Sequence, residues 1–190
     1  MLDRRTQPYT PFYCEENAWH LCQSDALGDG VARWVLFISN DHHTCALWHQ
    51  RAAAPRAPIV WDYHVVVLSD DGDCWRVWDL DTRLELPMEA GAWLAWTFWG
   101  TAHVPAEFAP RFRMVPAAAF VAAFSSDRSH MRSPDGGWQH PPPPWPPILA
   151  PQRPMNLDAF KDTRSVFLGE LHDLDSLTRR LARPGQETPP

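Results

Sequence analysis

Apolar and polar positions along this chain follow two periods. In CEENAWHLCQSDAL, Ala18, Leu21 and Cys22 recur at helical spacing with Trp19 beside them. This predicts a helix over residues 14–27, stopped by Gly28 and Gly30. Glu15 and Glu16 fall in its first turn, where carboxylates suit the positive end of the helix dipole. WVLFIS, residues 34–39, reads as a buried strand, and CALWHQ, residues 45–50, as a second one after the polar NDHHT turn. IVWDYHVVVL (59–68) and CWRVWDL (74–80) then predict a hairpin around SDDGD. Residues 90–100 fit strand or helix equally. Residues 116–124 predict a short helix with Pro116 in its first turn. Asn156 is expected to cap a short helix ending at Phe160, VFLGEL to form a last strand, and DLDSLTRRLA a closing helix. No internal repeat is visible.

The hairpin carries a register. Asp71-Gly72 is the dipeptide preferred by a two-residue type I′ turn. With those two in the turn, His64 faces Asp79, Val66 faces Val77, and Asp62 faces Asp81, all on one side of the sheet. The pattern gives an α/β fold of the α+β kind: one domain over residues 9–183, an antiparallel sheet with packed helices, a flexible start at 1–8 and a disordered tail at 184–190.

Composition narrows the class. At 190 residues and 45 % hydrophobic, the chain is long enough and apolar enough to bury a core. The longest apolar runs contain charge and fall short of the ~20 residues that cross a bilayer. No basic start followed by an apolar stretch marks it for secretion, so a soluble cytoplasmic protein is expected, nuclear as well if the source is a eukaryote. The net charge is −6 and the basic residues, all Arg except Lys161, are scattered, which argues against a nucleic-acid partner. Four cysteines without a CxxC pair predict reduced thiols, with no structural zinc and no disulfide framework. The twenty prolines crowd the last third of the chain, making residues 125–154 a stiff wrapped loop. Trp145 interrupts the run PPPPWPP. It is expected to pack on the body, in preference to the tract serving as a ligand for an aromatic-grooved domain.

A cysteine at a helix start has its thiolate favoured by the dipole, and Cys14 stands there, although Glu15 and Glu16 oppose the effect. Taken alone, Cys14 reads as packing more readily than as chemistry, and Cys22, Cys45 and Cys74 more readily still. His64 opposite Asp79 is the better signal: a general base needs a carboxylate to fix its tautomer, and an ordinary structural His–Asp hydrogen bond is the equal alternative. Cys, His and Asp in that chain order favour nucleophilic catalysis. Asp127, Arg128, Ser129 and His130 form either a cleft wall or a network pinning the loop. His42, His43 and His49 read as a solvated turn, since no third ligand at suitable spacing joins them.

YTPFYCEEN, FISN, IVWDYHVV, WDLDT, FSSDRSHM, PPPPWP and MNL occur here in one order, spanning residues 9–157. In these motifs the chain resembles the protein N-terminal glutamine amidohydrolases. The resemblance implies a papain- and transglutaminase-like cysteine hydrolase with Cys14 as nucleophile, His64 as base and Asp79 as orienting group. It implies conversion of an N-terminal glutamine of a protein or peptide to glutamate with release of ammonia, feeding the N-degron route of degradation. No cofactor and no metal are called for, and a monomer without membrane partners is expected. A carboxylate must read the free α-amino group, and Glu15, Glu16, Asp62 and Asp81 are candidates, with Asp127 in the neighbouring loop. Two rivals stand beside this reading: a transglutaminase-like acyl transferase that uses an amine in place of water, and a non-catalytic module that holds N-termini or displays its proline motif.

Overall fold

A computed structural model of the chain describes residues 7–151 and 154–183. Residues 1–6 of the expected flexible start and the expected tail at 184–190 lie outside the described residues. The architecture is mixed α and β around a six-stranded sheet. In chain order its strands are β1 (Ala32–Ser39), β4 (His64–Asp70), β5 (Trp75–Trp78), β6 (Met88–Glu89), β7 (Arg111–Pro116) and β8 (Glu170–His172), with β2 (Cys45–Leu47) and β3 (Ile59–Trp61) forming a separate two-stranded ladder. The large sheet runs β6-β5-β4-β1-β7-β8, every neighbouring pair antiparallel.

Helices cover both faces of this sheet, which explains why WVLFIS is apolar throughout instead of alternating. Val35 and Phe37 of β1 pack into one core with Ala18 and Leu21 of α1 (Cys14–Cys22), Phe120 of α3 (Ala117–Ala123), and Leu157 and Phe160 of α4 (Leu157–Lys161). Leu36 and Ile38, pointing the other way, join Trp93 of α2 (Ala90–Thr97) and Leu177 of α5 (Leu174–Leu181). Each buried Leu, Ile or Phe contributes roughly 1.5–3 kcal/mol relative to exposure, so two cores on one sheet fix β1 and β4 firmly. Asp173 and Ser176 cap α5 reciprocally, as the DLDSL pattern suits. Among the described residues, no helix is long and apolar enough to cross a membrane.

The structure corrects the sequence reading at several points. The predicted helix over 14–27 ends at Cys22, followed by a single 3-10 turn at Asp25–Leu27. The apolar run 59–68 is two strands, broken at Asp62 and Tyr63, because its first part pairs with β2 and its second with β1. The Ser39 hydroxyl donates to the Asp62 carbonyl at 2.7 Å and holds that break. The hairpin loop has four residues, 71–74: Asp70 pairs with Trp75 and Leu68 with Val77. Asp71 Oδ1 accepts the Asp73 and Cys74 N–H groups at 3.0 and 2.7 Å, so aspartate side chains shape the turn in place of a type I′ pair.

The register therefore differs from expectation by two residues, which changes partners and leaves every side chain on its expected face. Val66 does not face Val77, and Asp62, Asp79 and Asp81 all lie outside the ladder. Asn156 occupies the cap position of α4, yet its side chain bonds Ser125 N–H and the Ala123 carbonyl, closing the stem of the long loop instead. Strand β7 was missed. Its Arg113, 1 % exposed, hid the apolar pattern; the guanidinium is satisfied by the Phe160, Asp162, Ser165 and Leu168 carbonyls.

Candidate active site

Cys14 is the first residue of α1, and Tyr13 before it provides no side-chain cap. The first-turn N–H groups are thus unspent by the helix, as geometry requires of any helix start. The helix lies on β4, where the Val65 amide hydrogen-bonds to the Cys14 sulfur. The thiol itself is directed at Glu15 Oε2, 3.7 Å away. Burial pushes the Cys14 thiol well above its ordinary value, and the nearby charges of Glu15 and Asp81 push it further. Desolvation and the neighbouring carboxylates thus act against the helix end, which on its own favours a Cys14 thiolate.

His64 opens β4, and its Nε2 meets Asp79 Oδ1 at 2.9 Å. The contact runs diagonally, from the strand's first residue to the residue just past the end of β5. Asp79 is fully buried and fully engaged. Gln50 Nε2 and Trp93 Nε1 donate to its Oδ2 at 2.8 and 3.3 Å, and the Asp81 amide donates to its Oδ1 at 3.1 Å. Burial alone would raise its pKa, but the charge and hydrogen bond of His64 with these donors hold it below the ordinary carboxylate value. For His64 burial works against the cation, yet Asp79, Asp81 and Glu15 together raise its pKa. Its other nitrogen, Nδ1, has no hydrogen bond to any described residue.

Among the described residues, His64, Asp79 and Asp81 are the one set whose ligand atoms lie close enough together, within 4.8 Å, to hold a metal ion. Both Asp79 oxygens are occupied by N–H donors, and Tyr9 Oη donates to Asp81 Oδ1 at 2.5 Å, which suits an acid–base pair better than a ligand set.

Cys14 and His64 both line a cavity of about 320 Å³. The volume is at the small end of ligand pockets and suits one amino-acid residue. Its walls add Phe12, Trp61, Tyr63, His130 and His140, with Phe12 and His140 stacked at 3.6 Å and Trp61 edge-on to Phe12. Among the described residues, Asp62 is the only carboxylate that lines it.

The remaining candidates are placed elsewhere. Glu15 is wholly buried behind the wall, accepting from Tyr63 Oη at 3.0 Å with His130 Nε2 at 3.5 Å. Glu16 holds Arg128 by two 2.7 Å contacts and accepts the Trp145 indole N–H at 2.7 Å. Trp145 thus packs on the body as expected. Asp127 is exposed, accepts the Ser129 N–H and does not line the cavity. The SSDRSHM loop serves both uses foreseen for it: Arg128 pins it, and His130 and Met131 face the cavity. Cys22 and Cys45, with thiols pushed up to about 12 by burial, and Cys74 are not among the lining residues. Sequence reasoning missed Tyr9, Gln50, Trp93 and Tyr63, and the one available signal was general: a buried aspartate needs N–H or O–H donors from somewhere.

Residues 9–181 match the family described as N-terminal glutamine amidase. The chain is 35 % identical to the protein N-terminal glutamine amidohydrolase of Danio rerio over 90 % of its own length and 87 % of that protein. It is 35 % identical to the protein of the same name from Homo sapiens, over 90 % and 86 % of the two chains. With the one from Arabidopsis thaliana it shares 38 % identity, over 78 % and 72 %. The match spans the helix that carries Cys14, both strands of the His64 hairpin and the loop that closes the cavity, and this chain belongs to the N-terminal glutamine amidase family.

Proposed function

We propose that this protein hydrolyses the side-chain amide of an N-terminal glutamine in proteins or peptides, giving glutamate and ammonia, with Cys14, His64 and Asp79 as its catalytic groups. The observation that carries the reading is Cys14 and the Asp79-held His64 lining one residue-sized cavity in a chain of this family. His64 Nδ1 takes the thiol proton as the sulfur attacks the amide carbon, and the carbonyl oxygen gains negative charge. The Cys14 N–H, in the first turn of α1, is the donor assigned to that oxyanion. His64 returns the proton to the departing nitrogen, the C–N bond breaks, and ammonia leaves a thioester on Cys14. Water, deprotonated by His64, then adds to the thioester; the C–S bond breaks, and the glutamate product and the thiol are restored. Asp79 keeps the proton-bearing Nε2 in place through both steps. The reading places the protein in the cytoplasm, where its four free cysteines stay reduced, and its product on the N-degron route.

Three peptides test it: one with N-terminal glutamine, the same peptide acetylated, and one with N-terminal asparagine. The wild-type protein releases ammonia from the first alone, and Cys14→Ala releases none. Equal release from the acetylated peptide, or coupling of the glutamine to an added amine in preference to water, contradicts the reading, the latter in favour of an acyl transferase.

A further inference from the structure

An enzyme that spares internal glutamine must recognise the free α-ammonium. We propose that Asp62 is the residue that does so, holding the ammonium at the mouth of the cavity while the side-chain amide reaches Cys14; this rests on the functional reading above.

Among the described residues, Asp62 is the only carboxylate on the cavity wall. It also borders the neighbouring groove lined by Asn40, His43 and Thr163, which places it at the opening, not on the floor. That is where the α-carbon must lie, since the rest of the substrate chain has to leave there. The Asp62 side chain is exposed, and its carboxylate has no hydrogen bond or ion pair with any described residue.

The other carboxylates near the site are committed. Asp79 holds His64, Asp81 takes the Tyr9 hydroxyl, Glu15 takes that of Tyr63, and Glu16 binds Arg128. On the groove side Asp41 is tied to Arg164 and Asp158 to Lys161. Lys161, the one lysine on the wall, contacts Asp158 at 3.0 Å and lies over the Tyr63 ring, so its charge already has a partner.

The position is also stiff. Asp62 occupies the break between β3 and β4, its carbonyl clamped by Ser39, two residues from His64. The Asp62 charge is felt at the Cys14 sulfur, as a group in the same small site must be. A free carboxylate held in place near the nucleophile gives a charge-assisted contact to an ammonium and nothing to an acetylated or internal residue.

The test compares the N-terminal glutamine peptide with its des-amino analogue, which carries 4-carbamoylbutanoyl in place of glutamine. Kinetics are run on wild type, Asp62→Asn and Asp127→Asn, and calorimetric binding on Cys14→Ala and Cys14→Ala/Asp62→Asn. Charged hydrogen bonds of this kind support a KM rise of about 10- to 100-fold for the glutamine peptide in Asp62→Asn, with kcat changed far less. The des-amino analogue is handled alike by both, so the preference for a free amine collapses, whereas Asp127→Asn keeps it. A merely structural role would impair both substrates equally. Wild-type preference retained in Asp62→Asn overturns the proposal. Should no peptide release ammonia, the functional reading fails and binding still decides: loss of ammonium preference in the double variant supports Asp62, and equal affinities of Cys14→Ala for the two peptides overturn it.

Discussion

Asp79→Ala lowers kcat for ammonia release about 10³- to 10⁴-fold while the protein still folds. The carboxylate receives His64 Nε2 at 2.9 Å, and without it the imidazole loses both its fixed tautomer and the charge that stabilises its cation. Gln50 Nε2 and Trp93 Nε1 lose their acceptor as well, in a place where Asp79 is fully buried. Each unsatisfied buried donor costs about 1–3 kcal/mol, so a stability loss of roughly 2–6 kcal/mol accompanies the kinetic one. Asp79→Asn keeps the volume but offers an NH₂ group to a ring of donors, and it loses activity comparably.

The pH dependence separates the two effects. The folded-state pKa of Asp79 lies below its ordinary value, so its stabilisation is complete above that ordinary value, near 3.9, and is lost as pH falls through the lowered one. Urea unfolding across this range shows a shallower limb in Asp79→Asn than in wild type, the remainder coming from other carboxylates held low by hydrogen bonds, such as Asp41 and Asp71. Single-turnover ammonia release gives the kinetic loss; a variant within tenfold of wild type would remove Asp79 from the triad.

The second large effect lies away from the chemistry. Arg128→Met leaves Glu16 buried with one charge-neutral partner, the Trp145 indole, after both 2.7 Å guanidinium contacts are lost. Breaking one side of a buried pair costs about 3–5 kcal/mol. For a chain of this size that is a fall in Tm on the order of 10 °C. Arg128 also sits at φ 63°, an uncommon conformation for a residue with a Cβ, and it persists because Glu16 and the Trp145 carbonyl hold the side chain. Since His130 and Met131 follow directly and face the cavity, kcat/KM falls with stability. Glu16→Gln in the Arg128→Met background restores part of the loss by removing the stranded charge. A Tm within 2 °C of wild type in Arg128→Met would show that the pair does not anchor the loop.

How much of this was legible beforehand depended on whether the cause was local. WVLFIS, the hairpin strands and the capped last helix carry their own pattern, and those elements stand where the sequence put them, with edges moved by a few residues. Cys14, His64 and Asp79 could be singled out as candidates because a helix start and a hairpin are short-range features, and the structure brings His64 to Asp79 although Asp79 lies just past the end of β5. The hairpin's register was not legible. Asp71 binds the backbone of the turn, an alternative that the Asp-Gly dipeptide concealed, and the two-residue shift changed partners without changing faces. The strand holding Arg113 was invisible because its burial depends on carbonyls some fifty residues away. The donors that hold Asp79 come from Gln50 and from Trp93, in the stretch over residues 90–100 whose helix the pattern left open. Four of the candidate amine-reading carboxylates looked alike in sequence, and only burial and partner choice set Asp62 apart from them.

Covalent trapping tests whether the Cys14 sulfur forms the bond to glutamine. A peptide whose N-terminal residue carries a chloromethyl ketone in place of the side-chain amide is incubated with the protein, and the adduct is mapped by mass spectrometry. One adduct is expected, on Cys14, slowed by an N-terminal glutamine peptide and formed far more slowly in His64→Ala. Cys22, Cys45 and Cys74 stay unmodified over the same time. Inactivation with the label on another residue, or with Cys14 left free, would contradict Cys14 as the nucleophile.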